Sequence, residues 1–428
     1  MKKRVLIIGG GASGMAAAIA AADSGADVTV IEHMDRVGKK ILSTGNGRCN
    51  LTNRQMDPSC YRCDEADFPM KVLKHFLPED TIAWFHEMGL EVRERQGYYY
   101  PASDQASSVL DVLRFRLREL GVNVMCGVEP DGIGITSGGF EVSGKKKDGQ
   151  AVKFWGNALI LAAGSKAAPS TGSDGSGYGL AKDLGHRVIR PLPALVQLRC
   201  QGNLYKVMAG VRTEAELTLF ASGKKMARDR GELQITDYGL SGIPAFQISR
   251  YASRALDEGK KVTVSVDFLP ARGKKEVLDW IARGRADFPN RTGEELLGGL
   301  INKKLALGLL KLAGIRPSAP AESWSRKQSE ALCRQMKEYE ALVQSVNPFA
   351  NAQVCCGGVD TSQVDPETLE SRLISGLYLI GELLDVDGIC GGYNLQWAWA
   401  TGNLAGRAAV RKKEQNRSFQ KEVSRWSV

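Results

Sequence analysis

The 428-residue chain is long enough for two or three domains with sizeable cores, and 43% hydrophobic with 25% charged residues is the balance of an ordinary soluble protein. No run approaches the ~18 consecutive apolar residues of a membrane span, and nine cysteines without an export signal argue for a cytoplasmic, reducing setting rather than a disulfide framework. The formal charge of +9 is spread out, with short runs at Lys145–Lys147 and Arg411–Lys413; it reads as solvated surface or as attraction of an anionic small-molecule substrate, and no basic run is interleaved with aromatics as an RNA face needs.

The chain starts Met1-Lys2-Lys3-Arg4, followed by only four apolar residues, Val5–Ile8, which run into glycines. That is too short for a signal peptide and reads as a buried first strand. An Ala-rich helix follows from Met15 to Ala22, then a second strand from Asp27 to Ile31. Between strand and helix, Gly9, Gly11 and Gly14 fit G-x-G-x-x-G. The first glycine permits the tight turn, the second lets a pyrophosphate approach the backbone, and the third lets helix and strand pack closely. Ala12 and Ser13, between the second and third glycines of this motif, are assigned to the cofactor with it. Glu32, with His33 beside it, ends the second strand as a ribose-binding acid does, and a carboxylate there disfavours a 2′-phosphate. The unit therefore predicts FAD or NAD rather than NADP.

Residues 38–53 form a long polar loop of the kind that a ligand organises. Lys39, Lys40 and Arg48 are placed to neutralise pyrophosphate, and Thr44, Gly45, Asn46, Cys49 and Asn50 allow close contact. The stretch reads Gly38-Lys39-Lys40-Ile41-Leu42-Ser43-Thr44-Gly45-Asn46-Gly47-Arg48-Cys49-Asn50-Leu51-Thr52-Asn53. It resembles the signature G-K-K-x-x-x-S/T-G-x-G-R-C-N-x-T-N of the BaiN/RdsA-type FAD-dependent oxidoreductases, also called aminoacetone-oxidase-like flavoproteins. Cys49 reads as a packing or cofactor-contacting residue more than a nucleophile, which needs a base or cation nearby. The Cys60/Cys63 spacing lacks a thioredoxin-like context and a second pair for zinc, and is read as incidental.

Further along, a helix is predicted over 69–87, a short aromatic strand over 97–101, a helix over 104–120 and a strand over 122–126. Alternation from Gly132 to Trp155 marks an antiparallel meander. A buried strand from Ala158 then ends at Ala163-Gly164, returning the chain to the cofactor, and a polar glycine loop over 169–179 leads into a helix from Leu180. Alternation over 194–270 predicts an antiparallel sheet or barrel. Within it, residues 231–242 resemble a family turn usually written with Thr-His and Gly-Pro. Asp237 stands where the family tends to have His, which implies a different substrate choice if that His matters. Residues 272–336 read as helices, either a lid over the cofactor or a purely structural insertion, and strands resume over 338–356. The adjacent Cys355 and Cys356 are too close for an unstrained bridge, since neighbouring Cα atoms lie ~3.8 Å apart.

A last strand ends at Gly381-Glu382, followed by Asp387, Gly388, Gly391, Gly392, Tyr393, Asn394 and a helix from Leu395 to Arg411. This resembles the family's G-E-x-x-D-V-D-G-x-x-G-G-Y-N-x-Q-W-A-W. The resemblance implies that Glu382 lies against the ribityl chain and that the helix start faces the pyrimidine side of the flavin, where N–H groups offset charge on the reduced ring. Trp397 and Trp399 read as helix packing.

The resulting fold class is α/β: a two-dinucleotide-binding, Rossmann-like FAD domain (1–192 and 357–428) with an inserted antiparallel β-barrel-like domain (193–271 and 337–356) and a small helical insertion (272–336). No second G-x-G-x-x-G unit exists for a separate NAD(P)H domain, so NADH or NADPH is a candidate transient donor. None of the histidines, His33, His75, His86 and His186, lies inside a cofactor motif, no metal cluster is evident, and no catalytic side chain is assigned. By resemblance, the leading expectation is reduction of an activated C=C bond, as in a 3-oxo bile-acid or steroid enone. Amine oxidation of an aminoketone, RNA modification through FAD, and a flavin-bearing protein without turnover are the alternatives.

Overall fold

The computed structural model describes residues 2–411, so Lys412 and Lys413 of the terminal cationic run lie outside the described residues. Five strands form a parallel sheet in the order Leu377–Leu379, Ala158–Leu161, Arg4–Ile8, Asp27–Glu32, Asn123–Cys126. Its central strand is buried on both faces, which is why Val5–Ile8 reads as a continuous apolar run. The central strand, Arg4–Ile8, comes from the start of the described chain and the edge strand Leu377–Leu379 from near its end, and the helices above the sheet likewise bring the two ends together.

The first helix, Ala12–Asp23, packs against the last, Tyr393–Val410. The seam is built of small residues: a Cβ at Gly402 would sit 2.5 Å from the Ser13 carbonyl oxygen, and one at Gly406 2.4 Å from that of Ala17. The alanines of the first helix thus serve close approach rather than volume. Trp397 and Trp399 are fully buried, and their indole N–H groups donate to the carbonyls of Gly381 (3.0 Å) and Leu51 (3.1 Å). The last helix therefore holds two loops in place as well as packing the core.

A three-stranded meander (Val128–Thr136, Gly139–Lys146, Ala151–Gly156) follows the alternation in the sequence, with Lys145–Lys147 at its second turn. Six strands close an antiparallel barrel in the order Leu198–Cys200, Gly239–Gly242, Lys224–Thr236, Arg212–Ala221, Val262–Asp267, Tyr339–Val346. The barrel and the helices of 272–336 share one apolar core, separate from that of the parallel sheet.

Several elements differ from the sequence expectation. The predicted helix over 69–87 is two helices, Phe68–Leu73 and Pro78–Glu87, because Leu77 precedes a proline and is extended. The 38–53 loop contains 3-10 turns over Lys39–Gly47, interrupted at Thr44–Asn46. The helix expected from Leu180 already starts at Ser176, and the last helix begins at Tyr393. The 194–270 region is not purely β: it carries the helix Ile243–Asp257, which packs against all six barrel strands. Strand Val354–Val359 leaves the barrel and pairs with Val188–Ala194, so Cys355 and Cys356 lie in a two-stranded ribbon. Among the described residues, nothing in 272–336 lines the main cleft, so these helices form no lid over it.

The helix Ile243–Asp257 joins the two cores. Ala245, Ile248, Ala252 and Ala255 are buried in the barrel core. Its other face turns to the parallel-sheet region: Arg250 binds Asp387 in a bidentate pair (2.8 and 2.9 Å), the Tyr251 hydroxyl accepts from Arg62 (2.9 Å), and Arg254 donates to Asp64 (3.1 Å).

Candidate functional site

A cleft of about 980 Å³ runs from the first strand–helix turn to the start of the last helix. That is the upper end of ordinary small-molecule sites. Gly9, Gly11, Ala12, Ser13, Glu32, His33, Lys39, Lys40, Thr44, Gly45, Asn46, Arg48, Asn50, Ala163, Gly164, Glu382, Gly391, Gly392, Asn394 and Leu395 all line it. Two motifs from opposite ends of the chain thus share one cavity.

At the first end, the helix begins at Gly11 with no side-chain cap and no acid in its first turn. Its first internal bond runs from the Met15 N–H to the Gly11 carbonyl (2.9 Å), so the preceding N–H groups have no helical partner. A Cβ at Gly11 would meet nothing within 4 Å, whereas one at Gly9 would lie 2.4 Å from the Ala162 carbonyl oxygen. Gly11 therefore borders open cleft and Gly9 a wall. The Glu32 carboxylate accepts from the Gly10 N–H (2.7 Å) and the Met34 N–H (2.8 Å), which fixes it at the end of its strand. His33 lies 3.7 Å from both Glu32 and Asp174.

At the second end, the last helix begins at Gly392 (φ 94°), again without a side-chain cap or an early acid. Gln396 makes the first helical bond, to the Gly392 carbonyl (2.9 Å), leaving the N–H groups of Asn394 and Leu395 without helical partners at the cleft wall. The Asn50 Oδ1 nearby is buried without a hydrogen-bond partner. An acceptor so placed suits a ligand that brings its own N–H or O–H. Two uncapped helix starts, an open cradle at Gly11 and this orphan acceptor fit a long dinucleotide with a phosphate bridge and a hydrogen-bonding ring. The residues fit FAD.

Six of the sequence-derived positions do not line the cleft. A Cβ at Gly14 would fall 1.9 Å from the Gly9 carbonyl oxygen, so Gly14 serves helix–strand packing. Gly381 presses on Ser13, where a Cβ would be 2.4 Å from its Oγ. Gly388 is clasped by the Asn394 side chain, which both donates to and accepts from its backbone (3.0 and 2.8 Å), and a Cβ there would meet Tyr393. Tyr393 is buried against Tyr61. Asp387 faces Arg250 rather than the cavity. Cys49 is fully buried, and desolvation pushes its thiol up to about 12, which leaves a protonated packing residue.

The cations also find specific places. Lys39 pairs with Asp35 (2.5 Å) and Lys40 with Glu382 (2.7 Å), whose carboxylate also accepts from Ser165 (3.0 Å). Arg48 stands by the Tyr98–Tyr100 wall, within the field of the Tyr100 phenol. Cys60 and Cys63 are both free thiols, as are Cys355 and Cys356; burial pushes the Cys63 and Cys355 thiols up to about 11 and that of Cys356 to about 12.

Sequence reading missed several wall residues: Arg36, Arg95, Tyr98, Tyr100, Ile243, Phe246, Gln247 and Cys390. The alternation in Tyr98-Tyr99-Tyr100 was a usable signal, because residues two apart on a strand share a face. Ile243, Phe246 and Gln247 belong to the helix that the sequence reading took for part of a sheet. Gln247 accepts from the Cys390 N–H (3.1 Å) and so ties that helix to the cleft floor. Burial pushes the Cys390 thiol up to about 12, with the nearby Asp229 adding to it.

A family model described as the HI0933-like protein Rossmann domain matches residues 3–408. A curated protein of Clostridium scindens, named 3-dehydro-bile acid delta(4,6)-reductase, is 49% identical over 411 residues, covering 96% of this chain and 99% of that protein. Two proteins named ribosomal RNA dihydrouridine synthase are more distant. That of Escherichia coli is 29% identical, covering 92% of this chain and 95% of its own; that of Haemophilus influenzae is 28% identical, covering 92% and 96%.

Proposed function

This chain belongs to the HI0933-like family of FAD-dependent oxidoreductases, and from that premise we propose that it reduces a C=C bond conjugated to a ketone in a small, largely apolar molecule such as a 3-oxo steroid acid, with NADH or NADPH as electron donor. The observation that carries this reading is the 49% identity, over nearly the full length of both chains, to a 3-dehydro-bile acid delta(4,6)-reductase. Bound FAD supplies the two-electron chemistry. The protein's part is to bind, orient and shield.

In this reading the helix start at Gly11 holds the pyrophosphate, Glu32 the ribose, and the helix start at Gly392 the flavin ring. N–H groups at that second start favour negative charge on the ring, which lowers the cost of reducing it. The substrate lies towards Ile243, Phe246 and Val354, which supply apolar cover. Phe246 and Gln247 come from the helix that Arg250 locks to Asp387, so the substrate wall and the cofactor cradle keep a fixed spacing.

Anaerobic photometry of the purified protein tests the reading. NADH or NADPH should bleach the flavin, and a 3-oxo-4-ene steroid acid should restore its colour with formation of the saturated ketone. Flavin that is bleached but not reoxidised by any enone contradicts it. Peroxide from an aminoketone in air would favour an amine oxidase instead, and salt-sensitive ribosomal RNA binding would favour an RNA substrate.

A further inference from the structure

At the last-helix end of the cleft, a hairpin brings Arg95, Tyr98 and Tyr100, which the cofactor reading does not use, to the same wall as Arg48. Its strands are Val92–Arg95 and Tyr98–Pro101, and Arg95 pairs in register with Tyr98 across the tip. Tyr98 and Tyr100, two residues apart, turn the same way, and both line the cleft. The hairpin is anchored to the cofactor end. Thr52–Asn53 pairs with it, and the Asn53 side chain donates to the Gly391 carbonyl (3.0 Å). A Cβ on Gly391 would lie 2.9 Å from the Tyr98 ring, so that ring sits directly beside the start of the last helix.

Two guanidinium groups share this wall, Arg95 from the hairpin tip and Arg48 from the 38–53 loop. Both act on the Tyr100 phenol, as do Tyr98 and Asp104. Of the other cleft cations, Lys39 is paired with Asp35 and Lys40 with Glu382, and Arg36, in the segment after Glu32, lies within the field of Asp35. The carboxylate of Asp104 is taken by Arg93. Among the described residues, Arg48 and Arg95 have no carboxylate partner. Ile243, half exposed, and Phe246 give the same cavity an apolar side.

We propose that Arg48 and Arg95 form an oxyanion-binding site beside the Tyr98 and Tyr100 rings, which receives the carboxylate or phosphate of a flat, mostly apolar molecule while its carbon skeleton lies along Ile243 and Phe246. The proposal builds on the reductase reading and deepens it, since it makes the anionic group a determinant of which molecules are accepted. Guanidinium forks suit carboxylate and phosphate oxygens, and the two faces of a tyrosine suit a flat ring system. The same chemistry has two sources, an acid on the substrate or a phosphate of the nicotinamide donor.

The test uses the FAD-loaded full-length protein, with wild type, Arg95→Gln and Arg48→Gln/Arg95→Gln compared at equal flavin content. Arg95 is exposed on a hairpin tip, so the single variant keeps the test valid if the Arg48 change disturbs the loop. A saturated steroid carboxylate and its methyl ester are titrated by their effect on the flavin spectrum, and KM is measured for NADH and NADPH. With the substrate as source, wild type binds the acid about tenfold tighter than the ester, and the preference falls to within about twofold in the variants and shrinks with added salt. With the donor as source, acid and ester bind alike in all three proteins while the donor KM rises about tenfold in the variants. Unchanged acid preference and unchanged donor KM overturn the proposal, as does an equal loss for acid and ester. If the acid binds through these arginines but no enone is reduced, the anion site stands and the reductase reading falls.

Discussion

The two helix starts that meet at the cleft are built in opposite ways. The first is local: strand, turn, helix and Glu32 lie within one short stretch, and the Gly10 and Gly38 backbones bond within it. The second is held from a distance. The segment from Asp387 to Tyr393 depends on Asn53 and Tyr61 from early in the chain, on Gln247 and Arg250 from the barrel helix, and on the neighbouring Asn394. Local construction makes a cradle that sequence patterns reveal. Distant construction makes one whose geometry can be coupled to the substrate-binding wall.

The comparison can be broken most severely at the local end. Gly14→Val would force a Cβ to within 1.9 Å of a backbone oxygen, with no side chain to yield, so little folded protein should be recovered in a soluble-expression and thermal-melt assay. At the distant end, Arg250→Met leaves the Asp387 carboxylate buried without its partner. The expected cost is about 3–5 kcal/mol in denaturant unfolding, together with weaker FAD retention, and the double variant Arg250→Met/Asp387→Leu should recover much of it. Recovery in the double variant but not the single one marks the pair as a structural lock rather than a cofactor contact.

A pH experiment sharpens the same contrast. Burial and the nearby Asp64 push the Asp385 carboxyl up to about 6, above its ordinary 3.8. A raised carboxyl favours the protonated folded state, so its contribution is full below about pH 4 and is lost as pH rises through 6. The loss amounts to about 3 kcal/mol at most. Asp385→Asn, which keeps an acceptor for the Gly357 N–H, should remove that part of the stability slope between pH 4 and 6. An unchanged slope would place the titration elsewhere.

The smallest effect on stability belongs to Gly11→Ala. Its methyl group enters open cleft, so unfolding should shift by less than ~0.5 kcal/mol while FAD affinity falls at least about tenfold, measured by dialysis equilibrium. Stability and affinity that fall together would contradict the reading of Gly11 as a phosphate-approach position.

The same contrast explains what was legible in the sequence. Periodicity and glycine spacing revealed the βαβ unit, the meander and the barrel strands, because those signals are local. They missed the helix Ile243–Asp257, whose barrel-facing positions are mostly alanine and whose Gly-Ile-Pro start resembles a turn. Pro244 in its first turn was the overlooked signal. With that helix went Phe246 and Gln247 of the cleft wall. Arg95, Tyr98 and Tyr100 were hidden for another reason: their hairpin reaches the cleft through contacts distant in sequence, its pairing with Thr52–Asn53 and the bond from Asn53 to Gly391. Asp387 and Gly388 were assigned to the cofactor, yet their side-chain and backbone partners belong to the supports around it.

The claim on which all of this depends is that both helix starts close on one FAD. Flavin stoichiometry after reconstitution measures it directly, with wild type and Gly11→Ala compared by absorbance and dialysis. The account predicts one FAD per chain in wild type and a marked loss in the variant without loss of fold. Colourless wild-type protein that takes up no flavin, or a variant that retains it with unchanged affinity, would contradict it.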